Sequence, residues 1–247
     1  MLILVSNDDG IYSDGIRVLA EQLKKIARVV VAAPDREKSA ASHSLTLHRP
    51  LRIQNIKKNY YAISGTPTDC ITLGVYEILK KKPDLIVSGI NHGGNLGDDV
   101  HYSGTVSAAM EGAIMGIPAI AMSLVTRDDN PRYLPAAQFA VRLARQVAKN
   151  GLPHGMVLNV NVPNCPAKKI KGYAYCKLGK RNYGDIIVEK LDPRNKKYYW
   201  IGGDESGYDD IPGSDCNAIL EKKISITPLQ VDMTSYAFLE KIRTWKI

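Results

Sequence analysis

The first 163 residues alternate short, wholly apolar runs with longer stretches of helical spacing, and that alternation leaves few folds open. Residues 2–6 (LILVS), 28–33 (RVVVAA), 84–89 (DLIVSG), 117–123 (IPAIAMS) and 156–163 (MVLNVNVP) read as strands. A strand that is apolar along its whole length is buried on both faces, the condition of a parallel sheet covered by helices on each side. Between these runs, residues 14–26, 68–82, 105–116 and 134–151 carry apolar side chains at helical spacing, the last ending on a Gly stop. The expectation is an open α/β sheet, mostly parallel, with crossover helices.

Beyond Pro163 the texture changes. Tyrosines gather in GYAYC, NYGD and KKYYWIGG and turn residues become frequent, which predicts a hairpin-rich extension over 164–213. Residues 215–229 then read as a helix returning to a last strand and 234–245 as a terminal helix. The division is therefore an α/β core at 1–163, an extension at 164–213, and a return strand with a C-terminal helix at 214–247, all serving one function.

Charge and cysteine usage narrow the chemistry. Lys and Arg outnumber Asp and Glu by 33 to 25, a formal +8, but the basic residues are scattered pairs with one triplet at 80–82. Such a pattern describes solvated faces and is compatible with a phosphorylated substrate. The four cysteines show no C-x-x-C spacing, which argues against zinc or dithiol chemistry. No basic leader precedes a long apolar stretch and no run reaches eighteen apolar residues, so the expectation is a soluble, cytoplasmic protein.

In an open parallel sheet, ligands sit past the carboxyl ends of the strands. Three polar loops fall there: SNDDG after the first strand, PDREKSAASHS after the second, and GINHGGNLGDDVHYSGT after the strand at 84–89. Asp8 and Asp9 repel one another, and both face one ion only if the chain bends, for which Gly10 is suited. Two readings stand: a site for a hard divalent cation such as Mg²⁺ or Mn²⁺, or a turn whose Asn and Asp cap the helix beginning near Ser13. Ser39 is one of several small hydroxyls in the second loop. The third crowds glycines around Asn91 and Asn95 and fits neither G-x-G-x-x-G nor the G-x-x-x-x-G-K-[ST] phosphate loop. Ser103, Gly104 and Thr105 stand where a helix begins, a position that serves a phosphate or an ordinary cap. Asp98, Asp99, His92 and His101 are weaker candidates, as is the polar turn SGTPTD at 64–69. An oxygen-lined cation beside an anion-binding helix end is what metal-assisted phosphoester hydrolysis requires.

The stretches ILVSNDDGIYSDGI, APDREKSAASHSLTL, GTPTDC, VSGINHGGNLGDDVHYSGTVSAAMEGA and SITPL together resemble the SurE family of survival-protein 5′/3′-nucleotidases. That resemblance implies a Rossmann-like, doubly wound, mostly parallel core with a β-hairpin extension and a C-terminal arm used in homodimers or homotetramers. It implies hydrolysis of nucleoside monophosphates with one divalent cation per subunit, Mg²⁺ or Mn²⁺, and trimming of short polyphosphate in some members. The family's metal ligands fall on Asp8, Asp9, Ser39 and Asn91, and its phosphate-pocket positions on Asn95, Ser103, Gly104 and Thr105. Metal-activated water is the expected nucleophile, with Asp8 or Asp9 accepting its proton. An aspartyl-phosphate route ranks lower because the D-x-D spacing of haloacid-dehalogenase phosphatases is absent from NDDGI. No nucleic-acid-binding motif occurs, and clustered carboxylates oppose a groove for phosphate backbone, so no stable nucleic-acid partner is expected.

Overall fold

The computed structural model describes residues 1–183, 187–201 and 205–246. Its strands are β1 (Leu2–Ser6), β2 (Arg28–Pro34), β3 (Ile53–Lys57), β4 (Tyr60–Ile63), β5 (Leu85–His92), β6 (Ala119–Val125), β7 (Met156–Pro163), β8 (Tyr173–Tyr175), β9 (Arg181–Tyr183), β10 (Ile187–Leu191), β11 (Lys197–Ile201), β12 (Glu205–Tyr208) and β13 (Ile224–Gln230). Its α-helices are α1 (Asp14–Leu23), α2 (Pro67–Leu73), α3 (Gly104–Ile114), α4 (Tyr133–Asn150), α5 (Asp215–Leu220) and α6 (Tyr236–Ile242).

Nine strands form one sheet in the order β3-β4-β2-β1-β5-β6-β7-β13-β8. The six from β4 to β7 are parallel, whereas β3 and β13 run antiparallel to their neighbours β4 and β7. The chain builds outward from β1 through β2 to β4, then returns to build from β5 to β7, so strand order reverses between β1 and β5. This is the doubly wound arrangement, and the reversal is where such sheets bind ligands.

Burial on both faces accounts for the apolar strands. In β1, Ile3 and Val5 pack with Ile16 and Leu19 of α1 and with Phe139 and Ala140 of α4. Leu2 and Leu4 point the other way, into a cluster with Ile71 of α2 and Val106 and Ala109 of α3. At about 25 cal/mol per Å² of apolar area removed from water, these two clusters supply most of the force that closes the sheet.

Two features depart from the sequence reading. The strands β3 and β4 are not anticipated; β3 is exposed at four of its five positions, and the apolar run of β4 is only four residues long. The helix expected over 68–82 is α2 followed by a π-helical turn at Gly74–Leu79. Here Gly74 lies against the core so closely that a Cβ would come within 2.9 Å of Leu4 Cδ2. In the SGTPTD turn the cap is Thr66, whose hydroxyl accepts the Asp69 N–H while Asp69 accepts the Thr66 N–H.

In the extension, β8 runs along the main sheet beside β13, while β9 with β12 and β10 with β11 make two antiparallel ribbons. The buried carboxylate of Asp215 fastens its base, accepting the N–H groups of Gly97 (3.0 Å), Gly179 (2.7 Å) and Cys216 (2.8 Å). Tyr198, Tyr199 and Trp200 lie exposed on β11. Gly184 and Asp185 of NYGD, and Gly202 and Gly203 of KKYYWIGG, lie outside the described residues.

Candidate active site

Past the end of β1 the chain must turn sharply to bring Asp8 and Asp9 to one place. Gly10 makes the turn with φ +94°, where a Cβ would also meet the Arg36 backbone at 3.0 Å. The buried Asn7 holds it, its Nδ2 donating to Gly10 O at 3.0 Å and to Ser13 Oγ at 2.8 Å. Ser13 is the N-cap residue of α1 and makes no side-chain cap bond, so the acidic pair is not a helix cap. Asp8 instead accepts a hydrogen bond from the Thr105 hydroxyl at the start of α3. Asp9 accepts the His92 N–H at the end of β5, at 3.2 Å.

The loops expected to meet do meet. The Lys38 N–H donates to Asp8 O at 2.7 Å, Ser42 binds the Tyr102 and His101 carbonyls, and the Thr46 N–H reaches Asp69 Oδ1 at 3.0 Å. Gly104, the first residue of α3, approaches so closely that a Cβ there would lie 2.8 Å from Asp8 Cβ. Ser103 caps α3 by accepting the Val106 N–H, and Thr105 is fully buried. Asn91 donates from Nδ2 to Gly93 O at 2.9 Å and stands one residue from the Asp9 contact. Ser39 is exposed and donates to Glu37 Oε1 at 2.5 Å.

Asn95 is placed differently from the others. It is buried, its Nδ2 donating to Ser123 Oγ at 2.7 Å, while its peptide is bracketed by Asn161 and Asn159 of β7. These two asparagines were not singled out from the sequence. Their signal is a pair of amides at i and i+2 in an otherwise apolar strand, both of them fully buried, where each must find a polar partner. Asp98 is exposed; Asp99 is buried and ion-paired with Arg181. Neither histidine ring bonds to Asp8 or Asp9. His92 contributes its backbone N–H and places Nε2 3.2 Å from Asp128 O, and His101 its carbonyl.

Burial raises the pKa of Asp8, opposed by hydrogen bonds from the Thr105 hydroxyl and from backbone N–H groups. Burial, and then the neighbouring charge of Asp8, push Asp9 up to about 7. Among the described residues neither carboxylate has a Lys or Arg partner. The buried Asn7 Oδ1 also lacks a hydrogen-bond partner. Uncompensated carboxylates and an orphaned amide oxygen suit a hard cation that takes oxygen ligands. No three His, Cys, Asp or Glu side chains cluster among the described residues, so such an ion would draw on amide and hydroxyl oxygens as well.

A pH dependence follows. The Asp9 carboxyl sits near its ordinary 3.8 in the unfolded chain and at about 7 in the folded one, so between these values the native state binds more protons. Stability of protein stripped of divalent ions therefore falls as pH rises from about 4 to about 7 and levels off above. Calorimetry in chelator is expected to show Tm lower at pH 8 than at pH 5 by roughly 5 °C, with the difference reduced in Asp9→Ala. An equal difference in that variant would assign it to other groups.

The family model described as Survival protein SurE matches residues 3–185. The 5′-nucleotidase SurE of Pelobacter propionicus is 53% identical over 245 residues, 99% of each chain. That of Geobacter sulfurreducens is 52% identical over 247 residues, covering 100% of this chain and 94% of the relative. The crystal structure of the SurE protein from Aquifex aeolicus aligns with a TM-score of 0.90 at 44% identity, covering 98% of each chain. The matched span includes all three loops that converge on Asp8, and the likeness continues over whole-length relatives and a whole-length fold: the chain belongs to the SurE survival protein family.

Proposed function

We propose that this chain is a nucleotidase, a phosphoric monoester hydrolase that splits nucleoside monophosphates into nucleoside and phosphate with one Mg²⁺ or Mn²⁺ held by Asp8, Asp9, Asn91 and Ser39. The observation that carries the reading is the buried Asp8 and half-buried Asp9, with Asp8 set against the first turn of α3 at the sheet's switch point. Relatives of near-identical length named 5′-nucleotidase SurE support it. When bound, the cation supplies a water of lowered pKa and screens the phosphate's negative charge.

The protein's own groups do the rest. Thr105 orients Asp8 through its hydroxyl, and the His92 N–H orients Asp9. An oxygen of this pair accepts the proton of the attacking water. The first-turn N–H groups of α3 left over from Asp8, with the Ser103 hydroxyl, hold phosphoryl oxygens as charge shifts onto them. The amide lattice of Asn95, Asn159 and Asn161 fixes the loop that follows Asn91 at the end of β5, which preorganises the site before substrate arrives. Short polyphosphate presents the same terminal group and belongs to the proposal as a second substrate. So does a homodimer or homotetramer: α6 has no buried residue and exposes Tyr236, Phe238 and Leu239.

Purified protein is expected to release phosphate from AMP with Mn²⁺ or Mg²⁺ and to lose this on chelation, regaining it when the ion is restored. Activity unaffected by chelator would exclude the cation. Acid-quenched single turnover with ³²P-labelled AMP is expected to leave no label on the protein; hydroxylamine-labile ³²P bound to the protein would establish an aspartyl-phosphate route instead.

A further inference from the structure

Beside the acidic pair lies a cleft of about 620 Å³ that none of the proposed groups fills. It opens at the carboxyl ends of β5 and β6, where His92 and Gly93 form one wall and Thr126 another. The far wall comes from the extension, as Arg181 of β9 and Tyr208 of β12. The cleft adjoins the reaction centre: His92 lines it and donates its N–H to Asp9, and Gly93 lines it and accepts from Asn91. From this junction a wall of His92, Gly93, Gly94 and Thr126 leads to Arg181 and Tyr208.

Arg181 is not a mobile surface cation. It is about one-tenth exposed, ion-paired with the buried Asp99, and its guanidinium lies 5.7 Å from the centre of the Tyr208 ring. Asp99 stands in the short 3₁₀ turn at Gly97–His101 that leads into α3. The ring and the guanidinium plane are therefore held by the same segment that presents Ser103 and Thr105. A flat cationic group beside an aromatic ring, facing a cavity of small-molecule size, is chemistry that takes a planar heteroaromatic ring by stacking.

We propose that Tyr208, backed by Arg181, is the platform on which the base of a nucleoside monophosphate stacks, which makes the extension the specificity-determining part of the enzyme. This rests on the nucleotidase reading above. Stacking is tolerant of base identity, so the platform separates nucleotides from base-free phosphomonoesters more than it separates one base from another.

The test compares AMP with ribose 5-phosphate, which keeps the sugar and phosphate and lacks only the base. Both substrates are assayed on one preparation of each variant, so any loss of folded protein cancels in the ratio of their kcat/KM values. Tyr208→Leu, which keeps an apolar bulk on that wall, is expected to lower the AMP to ribose 5-phosphate ratio by roughly tenfold, the size of one base–aromatic stack, mainly through KM for AMP. Tyr208→Phe is expected to hold the ratio within about twofold. A ratio unchanged in Tyr208→Leu overturns the platform and leaves the nucleotidase reading standing. Wild-type protein that hydrolyses ribose 5-phosphate and not AMP overturns both.

Discussion

Asp9→Ala is expected to lower kcat/KM for AMP by about 10³-fold or more, beyond the 10²–10³ that accompanies loss of one preorganised charge-stabilising group. The same substitution is expected to leave the stripped protein as stable as wild type at pH 8, or more so. The two effects have one cause. In the folded chain Asp9 is half-buried, has no basic partner among the described residues, and stands beside the charge of Asp8, which is why its pKa is pushed to about 7. Ionised and without a cation, it is a net liability to the fold, and removing it relieves both the desolvation and the repulsion. Its one hydrogen bond, from the His92 N–H at 3.2 Å, is long enough that its loss offsets little of that gain. Mn²⁺ should raise the Tm of wild type and do so much less in the variant, because binding stabilises only the form that binds. Full AMP hydrolysis by Asp9→Ala would refute the metal site, and lower stability without restored Mn²⁺ dependence would mean that Asp9 is a structural carboxylate.

The parts of this fold that the sequence made legible are those in which local pattern and burial agree. The strands β1, β2, β5, β6 and β7 are apolar because helices cover both sheet faces, so their hydropathy alone located them. The edge strand β3 answers to no such constraint: its side chains face water, and pairing with β4 rather than composition makes it a strand. Gly74, where α2 gives way to a π turn, lies against Leu4, 70 residues earlier in the chain, a contact that no local window contains. At the site, the loops after β1 and β5 are readable because glycines and carboxylates crowd just past strand ends, where an open parallel sheet binds its ligands. Asn95 was read as a phosphate ligand, yet its visible work is inside the protein, with Ser123, Asn159 and Asn161. Arg181 and Tyr208 carried no signal, since a single Arg and a single Tyr in a turn-rich segment acquire meaning only when β9 and β12 pair and bring them together.

Gly104→Ala offers the sharpest separation between helix stability and site geometry, and it is expected to cost AMP hydrolysis about 10²-fold with little change in Tm. Gly104 lies in ordinary helical backbone, a conformation alanine adopts freely, and alanine is the better helix former by about 1 kcal/mol in a helix interior and less in a first turn. By propensity alone the substitution would be neutral or stabilising. The added methyl, however, would fall 2.8 Å from Asp8 Cβ, 3.0 Å from Asp8 Oδ2 and 3.1 Å from Pro67 Cγ. Pro67 is the first residue of the capped helix α2 and has little freedom to yield, so Asp8 must give way. Asp8 is fixed from the other side by the Thr105 hydroxyl, and a shift of its carboxylate by a fraction of an ångström disturbs that bond and the position of every ligand that shares its ion. A double-mutant cycle checks this route. If Gly104→Ala acts by displacing Asp8, the Gly104→Ala/Asp8→Asn protein is expected to be no less active than Asp8→Asn alone, whereas independent, additive losses would place the effect of the methyl elsewhere in the phosphate-binding turn.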